Sequence, residues 1–357
     1  MEIGIIGLGL IGGSLAKSFK KNIECEIIAF DMDEYFLKSA MKEKTIDKST
    51  MTIDESFKDC EIIFICTPIN TIVNFIEKLK PHIKNDCIIT DVGSTKFKIC
   101  NETEKVKDVI FIGGHPMTGS EKRGYDASND YLFENAYYIL AKNKNAVSND
   151  KFNFLKDLIQ KIGAIPIELN PETHDYIVAS ISHVPHIVAA ALVNSVFKAN
   201  GDDEKVNLLA AGGFKDITRI ASANPDLWSG ICVDNKKDII KILEIFKSEI
   251  EDFEKFLKEY DDVHDFFKNA KDYRDSFTTT NKIGYFSNYE IKVDIIDKPG
   301  SIATIATLLS VNNINIKNIG IINNREFQDG VMSITFDNIE DVTNSCKLLE
   351  GMNYKIY

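Results

Sequence analysis

The sequence predicts an α/β protein: a doubly wound, mostly parallel sheet, then an all-helical domain, then a small βαββαβ domain. Three observations carry this expectation. Short β-branched runs alternate with helical stretches from Met1 to about Pro171, the pattern of strands joined by crossover helices. Beyond Asn170-Pro171-Glu172 the apolar spacing becomes helical, and after a polar stretch ending at Asn288 a strand-like alternation returns. The 357 residues also exceed one ordinary core, since domains usually hold about 100 to 200 residues.

The predicted strands of the sheet are Glu2 to Ile6, Glu26 to Phe30, Ile62 to Cys66, Cys87 to Thr90, Val109 to Gly113, Tyr137 to Leu140 and Ile165 to Leu169. Asn170 is placed to cap the helix that follows, with Pro171 in its first turn. Further on, Ile239, Leu243, Phe246, Ile250, Phe253 and Leu257 recur every three or four residues and form one apolar stripe on a long helix. Such a stripe serves as intramolecular core or as a seam with a second subunit; a helical homodimer is the expectation. Asp275 to Asn288 reads as a polar linker containing three successive threonines. Strands at Tyr289 to Ile296, Asn315 to Ile322, Val331 to Phe336 and Met352 to Tyr357, with helices at Ser301 to Asn312 and Glu340 to Glu350, complete a ferredoxin-like order. The implied divisions are 1–171, 172–276, a linker at 277–287, and 288–357.

Composition excludes several classes. With 44% apolar and 27% charged residues the chain is neither disordered nor of low complexity. A net charge of -12 argues against nucleic acid as a partner, because such affinity comes largely from clustered Lys and Arg. The first apolar run, Ile3 to Leu10, lacks a basic leader and is interrupted by glycines. Neither signal peptide nor membrane span is expected there, and a cytoplasmic protein is. The seven cysteines are scattered without C-x-x-C spacing, which fits reduced thiols and not a disulfide frame or a zinc site.

Gly7-Leu8-Gly9-Leu10-Ile11-Gly12 follows the first strand directly and opens a helix. That context makes it the phosphate-binding fingerprint of a Rossmann-type fold. Its glycines permit a tight turn and close backbone approach, and the helix N-terminus offers unpaired N–H donors. Gly7, Gly9, Leu10, Ile11 and Gly12 are therefore assigned to the cofactor, together with Thr67 after the Ile62 to Cys66 strand. Asp31 ends the second strand, where a carboxylate accepts from ribose hydroxyls and repels a 2′-phosphate, so NAD is expected over NADP. Asp33 is a second candidate for that role. A glycine turn that only packs a βα unit would need no acid at this place.

Three segments put polar residues where strands should end: Asp91 to Lys96, Gly113 to Glu121, and Ser182 to His186. Ligands bind beyond the carboxyl ends of a parallel sheet, so Ser94 and His115 should face the nicotinamide. His115 suits general acid-base work because an unperturbed histidine titrates near ~6.5. A lone histidine is more often structural, but a glycine-rich approach followed by Pro116 reads as a surface loop. Arg219, ending Gly212 to Arg219, offers a fork that matches a carboxylate.

Together GLGLIGGSLA (Gly7 to Ala16), DVGSTK (Asp91 to Lys96), GGHPMTGSE (Gly113 to Glu121), HDYIVASISHVPH (His174 to His186) and GGFKDITRIA (Gly212 to Ala221) resemble the prephenate and arogenate dehydrogenase family. The resemblance spans residues 1 to about 270. It implies that His115 takes the ring-hydroxyl proton during hydride transfer to NAD, with Ser94 between that histidine, the hydroxyl and the nicotinamide. It also implies that Arg219 binds substrate carboxylate, His186 shares the pocket, Glu121 and Asp216 sit near its mouth, and Trp228 lies close to the substrate. His174, His183 and His186 invite a metal reading, but no carboxylate completes a recognised motif, so no metal is expected.

The stretch from Asp297 to Ile302, with Asn313 to Ile316, resembles the ACT family of regulatory domains over about residues 288 to 357. The matching positions are Pro299, Gly300, Ile302 and Asn315, and tyrosine is the implied effector. A domain that only holds subunits together would share the same fold. Prephenate is the implied substrate. Arogenate, with an amino group in place of the keto group, is the alternative. A non-catalytic sensor of NAD and an amino acid would have no use for Ser94, His115 and Arg219 together.

Overall fold

The computed structural model describes residues 1–119, 122–142, 147–201, 203–259, 263–279, 289–296, 298–322, 330–336 and 338–356. Two compact units result, Met1–Ile250 and Glu251–Tyr357.

The first unit is organised by strands β1 (Glu2–Ile6), β2 (Glu26–Phe30), β3 (Lys48–Thr50), β4 (Ile62–Ile65), β5 (Ile88–Asp91), β6 (Ile110–Pro116), β7 (Tyr137–Ala141) and β8 (Ile165–Leu169). Their spatial order is β3-β2-β1-β4-β5-β6-β7-β8. Pairing is parallel from β3 to β6, whereas β7 runs antiparallel to β6 and parallel to β8. The order reverses between β1 and β4, the switch point at which such sheets bind ligands.

Connecting helices are α1 (Leu10–Asn22), α2 (Glu34–Lys42), α3 (Ile72–Leu79), α4 (Phe97–Thr103) and α5 (Asn149–Lys161). Both faces of the sheet are covered. Ile3, Ile5 and Phe64 pack with Leu15, Phe19 and Leu155 on one face; Ile6, Ile63 and Ile65 pack with Phe75, Ile76 and Leu79 on the other. That is why the strands read as isoleucine runs and not as a polar-apolar alternation.

Two elements differ from the sequence reading. Strand β3 has no apolar signal because it is a short, largely exposed edge held by main-chain pairing to β2. Strand β6 continues to Pro116 instead of stopping at Gly113, because β7 pairs with Gly113 through Pro116. Gly114 permits the close approach: a Cβ there would lie 2.3 Å from the Asp91 carbonyl oxygen. His115 therefore sits on a partly buried strand and not on the surface loop expected.

The helical region begins with α6 (Pro171–Val178), capped by the Asn170 side chain accepting from Thr173 N at 2.8 Å. A π-helical turn, Ala179–His183, leads into α7 (Val184–Asn200). Pro185 has no N–H for the Ile181 carbonyl, so the regular helical ladder cannot run unbroken through this point. Next come α8 (Glu204–Leu209), α9 (Gly212–Thr218), α10 (Pro225–Asp234) and α11 (Lys236–Glu259). The stripe on α11 divides: Ile239 and Leu243 pack with Ala179 and Val184, whereas Phe246 and Ile250 are exposed.

In the second unit Phe253 packs on Phe266 and Phe267 of α12 (His264–Thr279), at ring separations of 4.9 and 5.9 Å. Helix α12 extends into the polar stretch read as a linker, so residues 275–279 are helical; residues 280–288 lie outside the described set. A small antiparallel sheet follows: β9 (Glu290–Ile295), α13 (Ser301–Val311), β10 (Asn318–Ile322), β11 (Gly330–Thr335) and α14 (Ile339–Gly351), in strand order β10-β11-β9. Ile291, Val293, Ile305, Leu309, Ile334 and Leu349 form its core. The expected closing strand is reduced to one antiparallel bridge, Val293 to Ile356. Asn315 precedes β10, because Asn313 turns the chain with φ of 56° and pairing with β11 starts only at Asn318.

Candidate active site

The loop between β1 and α1 is shaped by glycine at two positions. Gly7 has φ of +95°, and a Cβ there would meet the Cys66 carbonyl oxygen at 2.8 Å; at Gly12 it would meet the Gly7 oxygen at 1.9 Å. Strand, turn and helix are thus as close as backbone allows. Gly9 is the N-cap of α1 with no side-chain cap, and the space where its Cβ would be is open. The first N–H groups of α1, from Leu10 to Gly12, therefore face room suited to an anion. Asp31 Oδ2 accepts from Leu8 N at 2.6 Å and Oδ1 from Asp33 N at 2.8 Å, which fixes the carboxylate beside this loop. Asp33 instead caps α2, accepting from Tyr35 N at 2.9 Å. Thr67 follows β4, and its hydroxyl accepts from Thr71 Oγ1 at 2.8 Å. These residues fit a dinucleotide with an unphosphorylated ribose.

The next two strands, β5 and β6, bring ionisable side chains together. Asp91 ends β5, fully buried, and ion-pairs with the equally buried Lys96. Its Oδ2 accepts from Gly93 N at 2.8 Å and its Oδ1 from Gly114 N at 3.0 Å. One carboxylate thereby fastens the loop bearing Ser94 to the strand bearing His115. Ser94 is partly buried on this loop and makes no hydrogen bond to His115 among the described residues. His115 Nδ1 lies 2.8 Å from Nε2 of His174, with the rings edge to face. His174 Nδ1 lies 2.7 Å from Asp175 Oδ1. Asp175 also accepts from Lys96 N at 2.7 Å and Phe97 N at 2.9 Å, at the start of α4. Burial holds the His115 pKa well below the usual histidine value, and His174, Lys96 and His183 push the same way.

A second group comes from the helices. His186 stacks on Trp228 at 3.8 Å, and His183 meets the same indole edge-on at 5.9 Å. Asn235 Nδ2 donates to the Asp175 carbonyl at 2.7 Å and lies 3.2 Å from His183 Nδ1. Burial lowers His183 to about 4. Burial also lowers His186, which hydrogen-bonds the backbone of Ile220 and feels the positive charge of Arg219. The structure thus gathers His186, Trp228 and Arg219, with His183 edge-on to the same indole. Asp216 is exposed on α9, and Glu121 lies outside the described residues. The ring nitrogens of His174 are taken up by His115 and Asp175, and no metal-binding group of His, Cys, Asp and Glu exists among the described residues.

Two family models match this chain: prephenate dehydrogenase, nucleotide-binding domain, over residues 15–168, and prephenate dehydrogenase, dimerization domain, over residues 170–271. The chain belongs to the prephenate dehydrogenase family. Prephenate dehydrogenase of Bacillus subtilis (strain 168) is 37% identical over 97% of this chain and 95% of its own length. Among solved structures, prephenate dehydrogenase from A. aeolicus in complex with hydroxyphenyl propionate and NAD+ superposes with a TM-score of 0.73 at 29% identity, covering 78% of this chain and 98% of that one. Synechocystis arogenate dehydrogenase gives 0.70 at 29% identity, covering 78% of this chain and 100% of its own.

Within this prephenate dehydrogenase fold, several residues around the site carried no assignment from sequence: Asp91, Lys96, His174, Asp175 and Asn235. Asp91 and Lys96 do bracket the DVGSTK segment, and His174-Asp175 opens another. What the sequence lacked was the fold that brings these segments together.

Proposed function

We infer that the chain catalyses NAD-dependent oxidative decarboxylation of prephenate to 4-hydroxyphenylpyruvate. The observation that carries this reading is His115 on β6, its pKa held below the ordinary histidine value by burial and its Nδ1 against His174, at the carboxyl edge of the sheet whose glycine loop fits NAD. Gly7, Gly9, Leu10, Ile11 and Gly12 hold the pyrophosphate, Asp31 the adenosine ribose, and Thr67 the neighbouring wall. Bound NAD supplies the hydride acceptor. His115 removes the proton of the ring hydroxyl, and Ser94 orients that hydroxyl. Arg219 pairs with a substrate carboxylate, His186 stacked on Trp228 lines the same pocket, and Asp216 is assigned to its mouth. As the carbinol becomes a carbonyl, the bond to the ring carboxylate breaks and its electron pair enters the ring, which aromatises as carbon dioxide leaves. That step needs no acid from the protein; orientation and deprotonation suffice.

Exposed Val193 and Phe197 on α7, and Phe246 and Ile250 on α11, are apolar side chains that a second copy of the chain would cover. The dimerization description of the matching family model favours the same reading. For residues from 288 onward we favour an ACT-type regulatory role with tyrosine as effector. Pro299, Gly300 and Ile302 form the exposed turn that opens α13, where Gly300 has φ of +91°, and Asn315 is exposed ahead of β10.

The test is NADH formation by the purified chain with prephenate, with arogenate, and with NADP in place of NAD. Turnover of prephenate with NAD is the expected result. Activity on arogenate alone would reassign the substrate, and no activity on either would remove the enzyme reading.

A further inference from the structure

His174 and Asp175 have no place in the chemistry described so far, yet both are buried and both are spent on one line of contacts. Asp175 is 1% exposed and His174 0%. The carboxylate takes the two N–H groups at the start of α4, from Lys96 and Phe97, so it cannot swing away. His174 lies between it and His115, one ring nitrogen on each, at 2.7 and 2.8 Å. Asn235 holds the backbone under Asp175.

The protonation states follow from donor and acceptor chemistry. A carboxylate only accepts, so Nδ1 of His174 carries a hydrogen. In a neutral imidazole the other nitrogen is then bare, so Nε2 of His174 accepts. Its partner, Nδ1 of His115, must therefore be the donor. A neutral His115 with hydrogen on Nδ1 has its lone pair on Nε2, the ring atom left for a substrate. We propose that His174, anchored by Asp175, is a positioning residue that locks His115 into the tautomer able to act as a base. The inference rests on His115 being the base of the reaction. The same line serves the charge that develops: once Nε2 of His115 takes the hydroxyl proton, the imidazolium still donates from Nδ1 to His174. The Asp175 carboxylate lies at the far end of that line. The logic is that of a histidine oriented by an acceptor behind it, where loss of the correct tautomer is costly while binding survives.

The experiment compares two replacements of His174 in the full-length enzyme. His174→Gln keeps an acceptor oxygen near the place of Nε2; His174→Phe keeps an aromatic ring without one. The expected result is a fall in kcat of about 10²-fold for His174→Phe, with KM for prephenate and the NAD dissociation constant near wild type, and recovery to within about tenfold of wild type for His174→Gln. Equal losses in both variants, or a loss confined to KM, would overturn the proposal. The dependence on His115 is read separately. In a His115→Asn background, His174→Phe should cost nothing further, because the histidine it orients is gone; an undiminished additional loss means that His174 acts by another route. If His115→Asn alone leaves turnover intact, the base assignment fails, and that outcome differs from every outcome expected of His174. Nitrogen NMR of the labelled wild-type histidines guards against a variant that fails to fold: a bare Nε2 and a protonated Nδ1 on His115 are required, and the reverse tautomer overturns the proposal.

Discussion

Burial does two things to His115: it removes water from the ring and it lowers its affinity for a proton, with Lys96, His174 and His183 adding to the second effect. A base must be unprotonated to work, so lowering its pKa extends activity toward acid. The profile of kcat/KM against pH should stay level through about 6.5, the ordinary histidine value, and fall only below it. An acid limb centred at or above that value contradicts the role. Replacing the ring, as in His115→Asn, should cost about 10²- to 10⁴-fold in turnover while NAD still binds. Arg219 lies on the other group, beside His186, and Arg219→Ala should raise the KM for prephenate with little change in NAD affinity. A collapse of NAD affinity in that variant would instead put Arg219 at the cofactor. Asp31 is held by two backbone N–H groups beside the glycine loop, and in the proposed reading it meets whatever the adenosine ribose carries. Asp31→Ser should narrow the preference for NAD over NADP, and steady-state kinetics with both cofactors measures it.

At the scale of elements, the contact between α1 and β1 has no slack. Gly12→Ala would drive a methyl group to 1.9 Å from the Gly7 carbonyl, and relief by backbone movement should cost about 1 to 3 kcal/mol of stability and weaken NAD. A thermal melt and an NAD titration read both effects; an unchanged pair means that the loop relaxes freely. The π-helical turn buries His183 with a pKa of about 4. Its folded pKa lies below the unfolded value near 6.5, so the unfolded chain binds the extra proton and stability falls as pH drops from 6.5 toward 4. The full loss is on the order of 3 kcal/mol. A His183→Asn variant should lose this part of the acid sensitivity, and melts at pH 7 and 5 compare the two slopes. These elements also show what was legible in the sequence. The glycine loop, its strand and its acid lie within one short segment, so local order exposed them. By contrast, β3 has no apolar signal, and the extension of β6 depends on pairing with β7, which no local pattern states. The line from His115 through His174 to Asp175 joins residues of β6 and α6 that only the fold makes neighbours.

For the molecule as a whole, the matching family models end at residue 271, whereas the sheet of the second unit starts only at Glu290. The catalytic residues proposed here all lie within the first unit, Met1–Ile250. An amino-acid sensor in the remaining chain would act by changing an equilibrium that the active site shares. Coupling between separate sites is typically about 1 to 3 kcal/mol, so tyrosine should weaken prephenate affinity by about 5- to 150-fold, and prephenate should weaken tyrosine binding by the same factor. If the effector pocket forms between paired copies, inhibition requires the dimer and tyrosine curves can be sigmoidal. The position of α12 decides where to cut. A chain ending at Thr279 keeps this helix whole and removes the small sheet, so it should retain turnover and lose the response to tyrosine. Titrating the full and shortened chains with tyrosine in one NADH assay separates the readings. Equal inhibition of both makes tyrosine a competitor at the active site, and a response in neither leaves the small sheet structural or tuned to another amino acid. Loss of turnover on shortening would mean instead that the second unit is needed to build the site.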